Sequence, residues 1–225
     1  MSRSGRRAGT TRAHASRTIA RGGGIVAGLT DQGLVLPDLV LRERRTTLRT
    51  WSVADAEALG AAIAASIEHL RPWMGWVAAE PQTVAARRAW ILECERDRLA
   101  GGSLVLGVFF DGAVAGGCGL HRRLEAGGLE IGYWIHPAVL RRGLATTAGR
   151  LLADAAFALP EISFVEIHHD KANVASGGVP RKLGFELVAE EPRQPEAPGE
   201  IGIECRWRME RVAWTRALRH PSLSR

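Results

Sequence analysis

The sequence predicts an α+β domain with a mixed sheet, and three patterns within its 225 residues carry that prediction. Alternating apolar stretches separated by tight turns predict an antiparallel meander of three strands over 103–136. The last of these strands begins a strand–helix–strand unit, residues 129–169, whose two strands become parallel through a right-handed crossover. Helical periodicity before the meander and further strand patterns at the end complete the order β-α-α-β-β-β-α-β-α-β-β.

One strand and two helices are predicted before the meander. Residues 46–51 alternate in the manner of a strand, and helical periodicity follows over 52–70. Ser52 and Asp55 stand at the spacing of a capping box at the start of that helix. A second helix is predicted over about 82–99, and the pair Gly101-Gly102 ends it.

From the meander onward, turn residues divide the chain into short elements. The dipeptide Asp111-Gly112 is a strong hairpin signal, and Gly184 suits the end of a helix. Three prolines between positions 192 and 198 predict an exposed loop. The predicted strands cover 103–110, 113–122, 129–136, 163–169, 185–190 and 202–211, and the predicted helices cover 144–159 and 176–184.

The composition is that of an ordinary globular protein. Apolar residues make up 46% of the chain and charged residues 24%, and no run of about 18 apolar residues occurs that would predict a membrane span. The three cysteines, Cys94, Cys118 and Cys205, lack C-x-x-C spacing. This usage favours reduced thiols in a cytoplasmic protein over a disulfide framework or a zinc site. We therefore expect neither a metal ion nor a membrane partner.

Charge divides the chain into a tail and a body. Six arginines in residues 1–21 have no acidic residue among them and account for the whole net charge of +6, so 22–225 is formally neutral. A neutral body gives no signature of specific nucleic-acid binding. The sequence predicts a disordered, arginine-rich N-terminal tail over 1–35, one domain over 36–215 and a C-terminal tail over 216–225. A transit peptide or a nucleic-acid-binding arm would have a similar tail composition.

A corner between a strand and a helix is the predicted ligand site. The stretch HPAVLRRGLATTAGRLLADAAF, residues 136–157, places two adjacent arginines and a glycine directly before a helical pattern. Backbone N–H groups at a helix N-terminus attract anions such as phosphate, and ligands bind beyond the carboxyl ends of parallel strands. Neither G-x-x-x-x-G-K-[ST] nor a G-x-G-x-x-G after a strand occurs here, so the corner lacks both common nucleotide-binding motifs.

Five motifs in a fixed order resemble the GNAT superfamily of acyl-CoA-dependent N-acyltransferases, and within it the RimJ/RimL-like branch. That branch acetylates protein N-termini and diverse amines. The motifs span roughly 46–209 and are LRTWSVADAEAL, HLRPWMGW, GGCGL, LEIGYWIHPAVLRRGLATTA and NVASGGVPRKLGF.

The resemblance implies both a fold and an activity. The expected fold is a mostly antiparallel central sheet with splayed parallel strands and flanking helices. The expected activity is acetyl-CoA-dependent transfer of an acetyl group to a primary amine, by direct attack in a ternary complex, in the cytoplasm. The implied partners are acetyl-CoA and the amine acceptor, and a homodimer is left open. N-terminal α-amines, lysine side chains and small-molecule amines all remain open as acceptors.

The resemblance also implies a set of coenzyme contacts. In the family, a loop of pattern [QR]-x-x-G-x-[GA] holds the coenzyme A pyrophosphate with its backbone N–H groups. Gly143 and Ala145 match its last two positions, whereas Leu140 replaces the expected Gln or Arg. The implied contacts are Ile131, Tyr133, Trp134, Ile135, Arg141, Arg142, Gly143, Leu144, Ala145, Thr146 and Asn173.

Two side chains are predicted to handle protons. Glu130 is the candidate base, because a carboxylate within an apolar strand is unusual; an ion pair with Arg122 or Arg123 is the alternative. By resemblance, Ser176 stands near the coenzyme sulfur and is the candidate acid, with a helix-capping role as its alternative. The family's usual tyrosine position is occupied by Pro180.

The acceptor side is assigned by resemblance to the stretch RPWMGW. Trp73 and Trp76 would line an acceptor groove there, although both rings would also suit a core or an interface. His168 and His169 are adjacent on a predicted strand and point to opposite faces, so they do not share a metal ion easily. A non-catalytic acyl-CoA-binding module and a nucleic-acid binder are the alternative functions.

Overall fold

A sheet of eight strands forms the centre of the molecule, described in a computed structural model that covers residues 28–30 and 33–219. The strands are β1 (Gly28–Thr30), β2 (Gly33–Val35), β3 (Val40–Glu43), β4 (Thr46–Thr50), β5 (Leu104–Phe110), β6 (Ala113–His121), β7 (Gly128–Ile135), β8 (Phe164–Asp170), β9 (Glu186–Pro192) and β10 (Ile203–Glu210). The helices are α1 (Ala56–Ala64), α2 (Ile67–Leu70), α3 (Val84–Leu99), α4 (Leu144–Phe157), α5 (Val174–Leu183) and α6 (Arg211–Arg219). β1 and β2 pair with each other, and the other strands follow the order β3-β4-β5-β6-β7-β8-β10-β9.

One parallel pair interrupts an otherwise antiparallel sheet. β7 and β8 run in the same direction with α4 as their connection, as the strand–helix–strand unit predicts. Only three residue pairs join them, and the last is Glu130 opposite Glu166. Because β7 continues to Ile135 and β8 to Asp170, the two strands separate toward their carboxyl ends. The predicted mostly antiparallel sheet with splayed parallel strands is confirmed.

Helices cover both faces of the sheet beside this opening. On the α4 face, Leu152 of α4 is buried in the main core together with Leu129 and Ile131 of β7. On the α1 face, which α1 and α3 cover, Leu59 belongs to a second apolar cluster, and the ring of Trp134 packs against it. Because side chains alternate along a strand, β7 presents different residues to the two faces.

The first predicted helix is divided in the structure. The N–H of Ser52 donates to the Asp55 carboxylate at 2.7 Å, and the predicted capping box is confirmed. α1 then ends two residues before Ser66, which is buried and donates its hydroxyl to the carbonyl of Ala62 at 2.7 Å. Such a local side-chain bond competes with regular helix geometry. The prediction of one continuous helix over 52–70 is therefore wrong.

Four elements lie outside the predicted pattern, namely β1, β2, β3 and α6. β1 and β2 fall within 1–35, the predicted disordered tail, and α6 runs across the start of the predicted C-terminal tail. Trp214 anchors α6, because its ring lies 6.2 Å from that of Phe157 and its indole N–H donates to Asp154 at 2.9 Å. The domain boundaries at 36 and 215 stay a prediction. The remaining parts of the predicted tails, 1–27, 31–32 and 220–225, lie outside the described residues.

The described residues contain three free cysteines, of which Cys118 and Cys205 are buried. Burial raises the pKa of both thiols, so both stay protonated at neutral pH. Within the part of the chain that is described, no helix has both the length and the apolar character needed to span a membrane.

Candidate active site

The N-terminus of α4 carries no side-chain cap. Gly143 occupies the N-cap position with a φ of 79°, a left-handed conformation that glycine adopts without strain. A Cβ at this position would meet no atom within 4 Å, so the space beside it is open. The first-turn N–H groups of Leu144, Ala145 and Thr146 lack acceptors within the helix. A phosphate group fits such a helix end.

Side chains around this corner differ in their surroundings. The guanidinium of Arg142 lies 5.6 Å from the centre of the Phe110 ring, whereas Arg141 is exposed and has a φ of 61°. The side chain of Leu144 is buried in the core, so only its backbone can contact a ligand. Leu140, which stands where the family pattern has Gln or Arg, is 39% exposed. Polar contacts at this corner therefore come from the main chain and the two arginines.

Strand β7 has a free backbone edge beyond its last pair with β8. On its other edge it stays paired with β6 as far as Ile135. The side chains of Ile131 and Ile135 are buried in the core on the α4 face, while the Trp134 ring lies on the α1 face. These three residues can contact a coenzyme in the opening only through their backbone. Backbone N–H groups in such a position can stabilise a developing oxyanion.

Tyr133 and Ser176 meet across the opening. The Tyr133 hydroxyl donates to the Ser176 carbonyl oxygen at 3.1 Å and lies 3.3 Å from Ser176 Oγ. Burial raises the pKa of Tyr133 to about 12, so its hydroxyl stays protonated at neutral pH. Asn173 caps α5, because its side-chain oxygen accepts the N–H of Ser176 at 3.1 Å. Three predicted site residues are thus brought together at the start of α5.

Glu130 lies on the α1 face where β7 and β8 separate. One of its carboxylate oxygens is 3.6 Å from a guanidinium nitrogen of Arg123, so the ion pair that was the alternative to catalysis is present. The Arg123 side chain is exposed, and exposed ion pairs contribute about 1 kcal/mol or less. The role of Glu130 as a base stays a prediction.

The sequence analysis did not identify one residue of this face, His121. It stands directly opposite Glu130 in the register of β6 and β7, so both side chains project from the α1 face. Burial and, to a smaller extent, Arg123 lower the pKa of His121 to about 4, while Asp97 opposes this shift. A histidine at the end of a glycine-rich strand was the available signal. The register that places it beside Glu130 was needed to interpret it.

The loop that carries both predicted acceptor-side tryptophans lies on the α1 face. The Trp76 ring is 41% exposed, and its centre lies 6.3 Å from that of Trp134. Trp73 is half-buried in the same loop. The N–H of Gly199 donates to the carbonyl of Pro72 at 2.9 Å, which ties this loop to the loop between β9 and β10. An exposed aromatic surface therefore borders the opening on the side opposite α4.

His168 and His169 lie on opposite faces, as their adjacency predicts. Nε2 of His168 lies 2.6 Å from a carboxylate oxygen of Glu166, whereas Nε2 of His169 accepts the indole N–H of Trp207 at 2.9 Å. Among the described residues, no group of three or more histidine, cysteine, aspartate and glutamate side chains is placed to hold a metal ion.

Residues 45–186 match the family model described as the acetyltransferase (GNAT) domain. The chain belongs to the GNAT acetyltransferase family. A curated relative, "Putative ribosomal N-acetyltransferase YdaF" from Bacillus subtilis (strain 168), is 30% identical over 141 residues. That alignment covers 62% of this chain and 76% of the relative.

Solved acetyltransferase structures share the fold of this GNAT enzyme. RimL, a ribosomal L7/L12 alpha-N-protein acetyltransferase in complex with coenzyme A, has a TM-score of 0.69 at 17% identity, covering 79% of this chain and 98% of its own. RimJ from Mycobacterium smegmatis, in complex with CoA-disulfide, has a TM-score of 0.66 at 21% identity, covering 78% of this chain and 89% of its own. The predicted GNAT fold and RimJ/RimL-like resemblance are confirmed. The chain is an N-acetyltransferase of this family.

Proposed function

We propose that this enzyme acetylates the α-amine of a protein N-terminus while acetyl-CoA is bound in the same complex. One observation carries the proposal. The opening between β7 and β8 lies between an uncapped helix end on the α4 face and an exposed tryptophan loop on the α1 face. A donor and an acceptor can therefore approach the opening from opposite faces. YdaF and RimL are named as ribosomal acetyltransferases, so N-termini of ribosomal proteins are the first acceptors to test.

The donor would be held mainly by main-chain groups. The pyrophosphate of acetyl-CoA would accept hydrogen bonds from the N–H groups of Gly143, Ala145 and Thr146, and the adjacent arginines would neutralise its charge. The Leu140 departure matters little under this arrangement, because the helix end needs no particular side chain. Asn173 would contact the pantetheine arm through the amide nitrogen that its capping bond leaves unused.

The side chains at the opening would then manage two protons. The neutral amine attacks the thioester carbonyl carbon, and backbone N–H groups of β7 stabilise the oxyanion, at about 3 kcal/mol for each donor. The amine proton passes to Glu130 as the carbon–nitrogen bond forms. The carbon–sulfur bond breaks, and the departing thiolate takes the proton of the Ser176 hydroxyl. Solvent restores the protonation of both side chains.

An exposed aromatic edge supports a polypeptide acceptor. Trp76 and Trp134 form a tilted pair beside the opening, with room on the solvent side of Trp76. Aromatic surfaces with a polar edge are typical of sites that bind peptides. Ribosomal acceptors imply a cytoplasmic enzyme, which agrees with the free cysteines.

The test is an acceptor screen that follows release of free thiol from acetyl-CoA. One peptide of a ribosomal N-terminal sequence, containing a lysine, is offered with a free α-amine and again with that amine already acetylated; a polyamine and an aminoglycoside are offered beside them. We expect turnover with the free α-amine only. Turnover with the blocked peptide or with the small amines alone would contradict this acceptor class. Coenzyme binding without turnover on any acceptor would favour a non-catalytic module.

A further inference from the structure

Two glycines make room for an imidazole on the α1 face. A Cβ on Gly119 or on Gly132 would lie 3.1 Å from Nε2 of His121, closer than ordinary van der Waals contact. The two glycines are directly opposite each other on β6 and β7, and His121 is the next residue of β6 on the same face. The ring therefore lies over backbone that carries no side chain. Gly132 also belongs to the stretch of β7 whose other edge is free.

The His121 ring has no hydrogen-bond partner of its own. No hydrogen bond joins either of its nitrogens to a described residue, and the side chain is only partly buried. By contrast, a carboxylate oxygen of Glu166 contacts the ring of His168. A ring nitrogen of His121 is thus free to accept a hydrogen bond from a ligand.

Three charged groups surround this ring. Asp97 faces it from α3, Arg123 from the loop after β6, and Glu130 from β7. Burial and Arg123 together keep the pKa of His121 low, so the ring is neutral at physiological pH. A neutral imidazole keeps a lone pair and does not repel an incoming amine. A protonated ring in this position would have no free lone pair to offer and would not accept a hydrogen bond from the amine.

We propose that His121 receives the acceptor amine and orients its lone pair toward the thioester carbonyl. This inference rests on the proposed function. The amine N–H donates to the free ring nitrogen of His121, next to Glu130, which takes the proton during attack. His121 forms no covalent bond and takes up no proton in this step; it contacts the acceptor amine and fixes its direction of approach. Any neutral primary amine can donate this hydrogen bond; an ammonium ion can also donate it but has no lone pair with which to attack.

The test compares two substitutions at His121 with a control on an exposed histidine. His121→Phe keeps the ring shape without an acceptor atom, His121→Gln keeps an acceptor atom, and His69→Phe is the matched control on exposed α2. We expect His121→Phe to lower kcat/KM for the acceptor about a hundredfold, the lower part of the range for positioned catalytic groups. His121→Gln should restore at least a third of that loss, measured as the logarithm of kcat/KM. The affinity for acetyl-CoA should be unchanged in all three variants.

The affinity for acetyl-CoA, measured by calorimetry, separates this role from a structural one. If His121→Phe keeps kcat/KM for the acceptor within twofold, or loses coenzyme affinity in the same proportion, His121 does not receive the amine. An NMR measurement on the wild-type protein covers the case in which His121→Phe does not fold. The imidazole resonances of His121 should move when the acceptor amine is added and stay in place when desulfo-coenzyme A is added alone. The absence of any shift with acceptor would also overturn the proposal.

The failure of this inference is distinguishable from the failure of the proposed function. The variants are compared with wild-type enzyme on whichever amine the acceptor screen identifies, so a small-molecule acceptor would overturn the proposed class and still permit the His121 test. A wild-type protein without turnover would overturn the proposed function, and the NMR shift with amine would then decide on His121.

Discussion

The two helices that begin at the opening of the sheet, α4 and α5, have N-termini of opposite kinds. α4 begins at Gly143 with no side-chain cap, and the space beside it is open. α5 begins at Asn173, whose side chain already caps Ser176, and Ser176 in turn contacts Tyr133. One helix end offers main-chain donors to a ligand, and the other offers side chains. Substitutions should therefore affect the donor site through backbone conformation and the chemical steps through individual functional groups.

Glu130→Gln should produce the largest loss of activity, because it removes a side chain that takes part in the proposed chemical steps. We expect kcat to fall by about 10²–10⁴-fold, because a positioned proton acceptor is lost while the shape is kept. Coenzyme affinity should change little. The deficit should shrink toward about pH 9, where more of the acceptor amine is already deprotonated. Steady-state kinetics across pH checks this, and a constant deficit from acid to alkaline pH would mean that Glu130 positions the substrate instead.

Gly143→Val should weaken the proposed donor site, which depends on backbone groups at the start of α4. A valine at a φ of 79° is strained, and its side chain fills the space beside the helix end. Losing one or two charge-assisted hydrogen bonds at about 1.5–3 kcal/mol each should weaken coenzyme A binding at least tenfold. The measurement is the thermal shift on adding coenzyme A. Gly112→Val is the matched control, because Gly112 has a φ of 81° and equally open surroundings in a hairpin turn. Equal loss of binding in both variants would remove the α4 corner from the donor site.

Tyr133→Phe should have the smallest effect on activity. It tests whether the side chains at the start of α5 act together. Removing the hydroxyl removes its contact with Ser176 Oγ and lets the serine side chain rotate, so kcat should fall about tenfold, the cost of one hydrogen bond of about 1.4 kcal/mol. If Tyr133 acts through Ser176, the double variant with Ser176→Ala should be no slower than Ser176→Ala alone. Multiplying defects in the double variant would show that the two side chains act independently.

The sequence predicted local features better than contacts across strands. The meander, the crossover helix and the glycine at the start of α4 follow from turn residues and periodicity, which neighbouring positions determine. His121 was missed because its meaning depends on Gly132 in the next strand, and only the register shows that pair. The contact of Tyr133 with Ser176 spans 43 positions and leaves no local signal. β3 is four residues long, too short for a period-two pattern to distinguish it from a loop.

The short pairing between β7 and β8 also bears on how long the protein survives in a cell. Three residue pairs join the two halves of the sheet, and beyond them lies the gap that we propose as the donor site. A donor held there links both halves, so it stabilises the folded chain by mass action, by about 2.7 kcal/mol at a hundred times its dissociation constant. Proteolysis begins from opened forms, and their population falls by the same factor. The abundance of this enzyme should therefore rise and fall with the acetyl-CoA supply, independently of its synthesis.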